Sequence, residues 1–484
     1  MSSANGLVCF TNCLLPQEDG TLLQKDLWID QVRGVILDAQ RTFYFRKERP
    51  DKVVDLGGNI LSPGLIDIQI NGAYGFDFSV FDGDEQAYKD GLASVAEKIV
   101  ETGVTSLVPT IITQERSLYP TLLRLLRPYS SPTSANLLGW HAEGPFIDMA
   151  KRGAHAPSFL LSAKDGFRSF EELYGATNLA DSEDWLMADA VGVRIITAAP
   201  EIEGVMQAVS ELDKRGVVYS IGHSIATSEI ATAAVRNGAR LITHLFNAMP
   251  QLHHRDPSII GLLGASPHLA SPFSPITYSP IQAPAPNRSH SLKLGTPVPG
   301  SEAFDDVVTP PQTPLFARYR DKKSPPKAGE NEDFTRPFYE LIVDGIHSHP
   351  NSVRLAYSAY PEGCILITDA MKILDPHLQD GVHEWRDGKR FVKEGDKLYL
   401  EGTNTLAGSV VTLDKCVRNF TRFTGCDMGQ AIKCATVNPA KCLGIEDRKG
   451  TLRPGADADL VVLDKQGYVQ STWVKGRQVW ARRA

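Results

Sequence analysis

The chain has 484 residues, 42% of them hydrophobic and 22% charged, with a formal net charge of −7. That length allows a barrel-sized domain plus a smaller one, and the balance is that of an ordinary globular protein. Mild acidity without a long basic run argues against a nucleic-acid partner, and no stretch nears the roughly 20 apolar residues of a membrane span.

The first residues carry no basic segment followed by an apolar core, so no secretory signal is expected. Seven cysteines without a CxxC pair read as buried thiols in a reducing compartment, and a cytoplasmic protein is expected. Residues 1–61 run in short apolar–polar alternations (Gly6-Leu-Val-Cys-Phe10, Asp26-Leu-Trp-Ile-Asp30, Lys52-Val-Val-Asp-Leu56), which suits short antiparallel strands. The same texture returns in Ala458-Asp-Leu-Val-Val-Leu-Asp464 and Thr472-Trp-Val-Lys-Gly-Arg-Gln-Val-Trp480, within residues 445–484. One small β domain built from both chain ends is the expectation.

Residues 62–444 alternate strand and helix patterns, the signature of βαβ units. Eight strand candidates follow: Gly64–Asn71, Val104–Thr110, Leu137–Trp140, Val193–Ala198, Val217–Ile221, Leu241–Ile242, Tyr339–Val343 and Cys364–Ile367. A helical segment around residues 85–101 separates the first two. The fold class expected is α/β, a (β/α)₈ barrel with a small β domain. One connection breaks the rhythm: about 70 residues separate Leu263 from Phe338 where a short loop and a helix are normal. Residues 266–335 are dense in Pro and Ser, a composition that buries too little apolar surface to offset its ordering entropy. This segment reads as a mobile surface insertion whose Ser-Pro and Thr-Pro pairs are candidate phosphorylation sites.

The chemistry gathers at strand ends, where such a barrel builds its active site. Glu143 follows strand three in His141-Ala-Glu-Gly-Pro-Phe146, His223 follows strand five in Gly222-His-Ser224, and His244 follows strand six in Thr243-His-Leu-Phe-Asn-Ala-Met249. A carboxylate at a strand end is ordinarily just solvated, and a lone histidine there is more often a hydrogen-bonded structural residue. Two imidazoles and a carboxylate at three such ends make a ligand set for one divalent metal ion; it suits zinc and also accommodates iron or manganese. Asp369, after strand eight, is either the proton acceptor of a metal-activated water or the cap of the next helix. His155, Arg255 and the Asp344-Gly-Ile-His347 turn offer donors in loops above the mouth, which suits a phosphorylated or polyhydroxylated substrate. Leu406-Ala-Gly408 offers small residues and backbone N–H groups that could close over a sugar.

Together with Pro63-Gly-Leu-Ile-Asp67, these strings resemble the N-acetylglucosamine-6-phosphate deacetylase family of the amidohydrolase superfamily, most closely its eukaryotic, fungal-type form. The tail Lys449-Gly-Thr-Leu-Arg-Pro-Gly-Ala-Asp-Ala-Asp459 is shared across the superfamily. The resemblance implies that Glu143, His223 and His244 hold one divalent ion per subunit, zinc first, with iron(II), manganese(II) or cobalt(II) also compatible. It implies Asp369 as general acid/base. It places Ala154, His155, Asn247, Ala248, Arg255, Asp344, Gly345, Ile346, His347, Leu406, Ala407 and Gly408 at the substrate, with Arg255 on its phosphate. The implied reaction is hydrolysis of a phosphorylated N-acetyl amino sugar to acetate and the free amine, in a homodimer.

The sequence departs from the superfamily pattern where many members carry His-x-His. Here Gln69, Ile70 and Asn71 stand at the end of strand one, and Ala198-Ala-Pro-Glu201 offers no lysine at the end of strand four. Amides are poor zinc ligands, so a single ion is expected. Two rivals are a mononuclear deacetylase of acylated amino acids, which needs no phosphate anchor, and a catalytically silent barrel, which would tend to lose its metal ligands.

Overall fold

The computed structural model describes residues 5–179, 192–265, 334–384, 390–403 and 408–483. Eight parallel strands form the barrel: β1 (Leu65–Ile70), β2 (Val104–Ile112), β3 (Trp140–Glu143), β4 (Val193–Ala198), β5 (Val218–Ile221), β6 (Leu241–Ile242), β7 (Phe338–Ile342) and β8 (Cys364–Ile367). Each pairs in parallel register with the next, from β1 on β2 to β7 on β8. Just past their ends, β8 and β1 are joined by Asp369 N–H on the Gln69 carbonyl (2.9 Å) and Asn71 N–H on that of Ala370 (2.8 Å). Nearly every barrel-strand residue is buried, as expected for parallel strands covered on both faces.

Helices cover the outside: α1 (Glu85–Lys98), α2 (Tyr119–Leu125), α3 (Phe167–Tyr174), α4 (Val205–Lys214), α5 (Ser228–Arg236), α6 (Pro350–Ala359), α7 (Leu413–Thr424), α8 (Met428–Ala435) and α9 (Val437–Leu443). The Asp84 side chain starts α1 by accepting the Gln86 and Ala87 N–H groups, an N-cap that satisfies two otherwise orphaned donors. After β6 the described chain forms a 3₁₀ segment, Ser258–Gly264. The segment expected to be a mobile insertion lies outside the described residues except at its C-terminal edge.

Both chain ends do build β structure. A six-stranded sheet runs Arg477–Ala481, Val469–Val474, Leu460–Leu463, Ile60–Pro63, Leu14–Pro16, Leu22–Gln24, so C-terminal strands pair directly with N-terminal ones. A four-stranded sheet of Val35–Leu37, Leu27–Asp30, Leu7–Thr11 and Lys52–Asp55 packs beside it. Their shared core contains Val8, Phe10, Ile29, Leu460, Val462 and Trp473, with Phe10 edge-on to Trp473 at 5.1 Å.

Three details differ from the sequence reading. Lys52–Asp55 joins Leu7–Thr11 in parallel, and Leu14 meets Ile60 in parallel, so the sheets are mixed. Strand three begins at Trp140: Gly139 takes φ +109° and breaks the run, leaving Asn136–Leu137 as a separate short partner of β2. Glu143 is therefore the last residue of β3. Beyond β8, Gly381–Glu384, Arg390–Glu394 and Lys397–Leu400 form a small antiparallel sheet with Phe391 and Leu398 in its core; its charged, half-exposed strands hide the period-2 signal.

Candidate active site

Three site residues leave their strands in the left-handed region: His223 (φ +50°), His244 (φ +27°) and Asp369 (φ +46°). Non-glycine residues seldom adopt that conformation, and here it turns the chain sharply off the strand end. Glu143 Oε1 lies 2.9 Å from His223 Nε2 and 3.0 Å from His244 Nε2, and the two Nε2 atoms are 3.1 Å apart. All three side chains are buried.

The ring orientations test whether these donors fit a metal ion. His223 Nδ1 lies 2.7 Å from the Lys151 carbonyl oxygen. A carbonyl only accepts, so Nδ1 carries the hydrogen and the neutral ring turns an Nε2 lone pair toward Glu143. A carboxylate oxygen and two imidazole nitrogens thus face one another in a buried pocket. Tetrahedral zinc with bonds of about 2.0–2.1 Å needs donor separations of roughly 3.3 Å, close to the spacing observed. Burial opposes charge on both partners, yet with hydrogens on the two Nε2 atoms in place of an ion, hydrogen bonds from the histidines hold the Glu143 carboxyl well below its usual range, and Glu143 lifts His244 to about 9. The pocket favours positive charge among its three donors, and the set fits a divalent ion.

Asp369 stands beside the cluster, partly open at the mouth. Its Oδ1 accepts from Asn71 Nδ2 (2.7 Å) and, at 3.5 Å, from Gln69 Nε2, which also reaches Glu143 Oε1 at 3.1 Å. The amides that replace His-x-His are therefore donors that tether the two carboxylates, a role that counting metal ligands overlooks. Burial, and next the Glu143 charge, raise the Asp369 carboxyl to about 6.

His155 is buried with its ring 4.6 Å from that of His223, edge to face. Its Nδ1 accepts the Thr113 N–H at 3.2 Å and lies 2.7 Å from the Thr113 hydroxyl, so in the neutral ring Nε2 carries the hydrogen. Burial, then His223, push its pKa down to about 3, which keeps it a neutral donor. Asp344 organises its own turn, accepting the Ile346 and His347 N–H groups at 2.8 Å each and the His347 ring at Nδ1 (2.6 Å). Gly345 takes φ +79° at the bend. Burial opposes protonation of His347, but the Asp344 hydrogen bond outweighs it and the pKa rises.

The Asn247 amide reaches the His244 and Leu245 carbonyls at 3.4 Å, and the Ala248 carbonyl accepts the Ser224 N–H at 3.2 Å. Ala154 is exposed beside His155. Arg255 is exposed on the loop after β6; among the described residues it forms no ion pair, and its N–H donates to His253 Nδ1 at 3.3 Å. Gly408 has φ +98°, and its neighbour Ser409 bridges to Ala370, which puts Ser409 beside Asp369. Leu406 and Ala407 lie outside the described residues.

Several supporting residues carried no sequence signal. Glu340 accepts the His244 N–H at 3.1 Å, and burial lifts its carboxyl well above the usual range. Beneath the cluster, His141, Thr197, Thr243 and Ser220 form a buried chain of 2.6 Å contacts inside the barrel.

The Amidohydrolase family profile matches residues 60–479. N-acetylglucosamine-6-phosphate deacetylase of Homo sapiens is 37% identical over 477 residues, covering 97% of this chain and 95% of the human protein. The chain belongs to the N-acetylglucosamine-6-phosphate deacetylase family. N-acetylgalactosamine-6-phosphate deacetylase of Escherichia coli O157:H7 is 27% identical over 464 residues, covering 94% and 97% of the two chains. The crystal structure of the Thermotoga maritima N-acetylglucosamine-6-phosphate deacetylase superposes with a TM-score of 0.67 at 25% identity, covering 98% of this chain and all of that one. As a deacetylase-family member the chain is a hydrolytic enzyme of the amidohydrolase type. No helix among its described residues is long and apolar enough to cross a membrane.

Proposed function

We propose that this enzyme hydrolyses the acetamide of N-acetyl-D-glucosamine 6-phosphate to D-glucosamine 6-phosphate and acetate. The observation that carries the reading is the convergence of Glu143, His223 and His244 on one point with Asp369 beside it. Glu143, His223 and His244 hold one divalent ion per subunit, zinc by the chemistry of the donors. The bound ion supplies Lewis acidity that activates water at neutral pH.

Asp369 takes a proton from the attacking water as its oxygen bonds to the acetyl carbon, and returns it to the amine nitrogen as the C–N bond breaks. Asn71 and Gln69 hold that carboxylate in place through both protonation states. His155, with its hydrogen on Nε2, donates to the carbonyl oxygen as negative charge develops there. Asn247, Ala248, Ala154, the Asp344-Gly345-Ile346-His347 turn and the Leu406–Gly408 loop contact the sugar. The Arg255 guanidinium is free to take the phosphate. A cytoplasmic homodimer is the expected assembly, and phosphate contacts that cross its interface would suit the exposed position of Arg255.

The test is acetate release from N-acetylglucosamine 6-phosphate, its galactosamine epimer and the unphosphorylated sugar. Preference for the first is expected. Equal rates with the unphosphorylated sugar would remove the phosphate anchor. No release from any of them by ion-loaded protein would overturn the reading in favour of an acyl-amino-acid deacetylase or a silent barrel.

A further inference from the structure

The Ala198-Ala-Pro-Glu201 sequence ends β4 with a carboxylate that the chemistry above does not use. Both of its oxygens are nonetheless committed. Glu201 Oε2 accepts the Ser224 hydroxyl at 2.7 Å and Oε1 accepts the Ile225 N–H at 2.6 Å. These are the two residues that follow His223. Ser224 is fully buried, and its hydroxyl oxygen accepts the Ala226 N–H at 3.0 Å. No lysine or arginine pairs with Glu201 among the described residues. Nor is it a helix cap: α5 is capped by Thr227, whose hydroxyl accepts the Ile230 N–H, and α4 begins after Gly204 with no side-chain cap.

The segment it grips is strained. His223 sits at φ +50°, a conformation that costs a β-carbon-bearing residue free energy and persists only when its surroundings over-determine it. The other restraints around His223 come from neighbouring loops: Asp148 N–H on the His223 carbonyl (2.9 Å), Ser224 N–H on that of Ala248 (3.2 Å), and the Lys151 carbonyl on its ring. Glu143, His244 and His155 meet the His223 ring itself; Glu201 is the side chain that holds the two residues following it. It fixes the C-terminal flank of the strained residue to the end of the adjacent strand.

We infer that Glu201 is the positioning residue of the ion site: its carboxylate clamps Ser224 and Ile225, and so holds the His223 imidazole aimed at Glu143 and His244. This rests on the ion site proposed above. Residues that orient a metal ligand from behind typically change ion affinity 10–100-fold when replaced, and the clamp acts through backbone geometry without touching substrate.

The experiment compares wild type, Glu201→Gln, Ser224→Ala and the double variant, all as full-length protein. Zinc affinity is read by chelator competition, ligand geometry by the visible spectrum of the cobalt-substituted protein, and fold by thermal unfolding of the ion-stripped forms. Glu201→Gln keeps size and shape but leaves one acceptor oxygen for the two donors and removes the charge that strengthens both bonds. It is expected to weaken zinc 10–100-fold and to alter the cobalt bands. Ser224→Ala is expected to weaken zinc less, and the double variant to be no weaker than Glu201→Gln, since both cut one linkage. A Glu201→Gln protein with lowered unfolding midpoint but wild-type zinc affinity and cobalt spectrum would overturn the inference. Should Glu201→Gln not fold, unchanged zinc affinity in Ser224→Ala would overturn it instead. Wild-type protein that binds no zinc would sink the ion site itself and this inference with it.

Discussion

Replacing Asp369 with asparagine should remove catalysis while strengthening the ion-stripped fold. The carboxyl titrates near 6 in the folded protein against an ordinary 3.8, raised first by burial and then by Glu143. At neutral pH the folded state therefore carries an ionised group it disfavours by about two pK units, at most about 3 kcal/mol and less for the solvent the mouth admits. Because the folded pKa lies above the unfolded one, this penalty is absent below pH 4, grows as pH rises through 6, and is constant above. Asparagine is isosteric and never ionises, and its carbonyl can still accept the Asn71 amide. The unfolding midpoint of ion-stripped Asp369→Asn should thus exceed wild type at pH 7.5 and converge with it near pH 4. Turnover should fall by about 10²–10⁴-fold, the usual contribution of a general acid/base, with stoichiometric zinc retained. An activity loss under tenfold, or a fold weakened equally at both pH values, would refute the reasoning.

Arg255→Ala should raise KM for the phosphorylated sugar by about 10–100-fold, the scale of a charge-assisted hydrogen bond, and leave the unphosphorylated sugar unaffected; steady-state kinetics on both substrates decide it. The acid limb of kcat/KM should have its midpoint at or below about 6, because Asp369 must be ionised to act and a nearby cation can only lower the value set by burial; a limb centred above 7 contradicts the assignment. Lys449 is buried against Asp457 (2.8 Å) and Asp459 (2.5 Å). Lys449→Met should destabilise the protein by about 3–5 kcal/mol in denaturant titration, since it leaves the buried Asp459 carboxylate without a cation while Asp457 keeps Arg448, and zinc affinity should not change.

Much of the architecture was legible because parallel barrel strands are buried on both faces and read as bare apolar runs. Val193–Ala198 and Cys364–Ile367 fall where those runs place them. Strand three starts three residues later than the apolar run Leu137–Trp140 implies, because Gly139 breaks that run and an apolar pattern carries no mark of the break. The small sheet beyond β8 is silent in the sequence pattern because its strands are charged and half exposed. At the site, the sequence marks Gln69 and Asn71 as amides and so as poor zinc ligands, but their service as amide donors to Glu143 and Asp369 depends on where those carboxylates arrive in space.

Which side chains follow the strands is written locally: Glu143, His223, His244 and Asp369 are marked by patterns a few residues long, set by local burial and turn preference. That atoms 80 and 101 residues apart in the chain meet within 3.0 Å is a product of barrel closure. The same closure brings the Lys151 carbonyl to one imidazole's hydrogen and the Glu201 carboxylate to the strained turn behind it. A backbone carbonyl is the same in every residue, and a brace from another strand acts only once the barrel has closed, so neither leaves a mark in the local pattern.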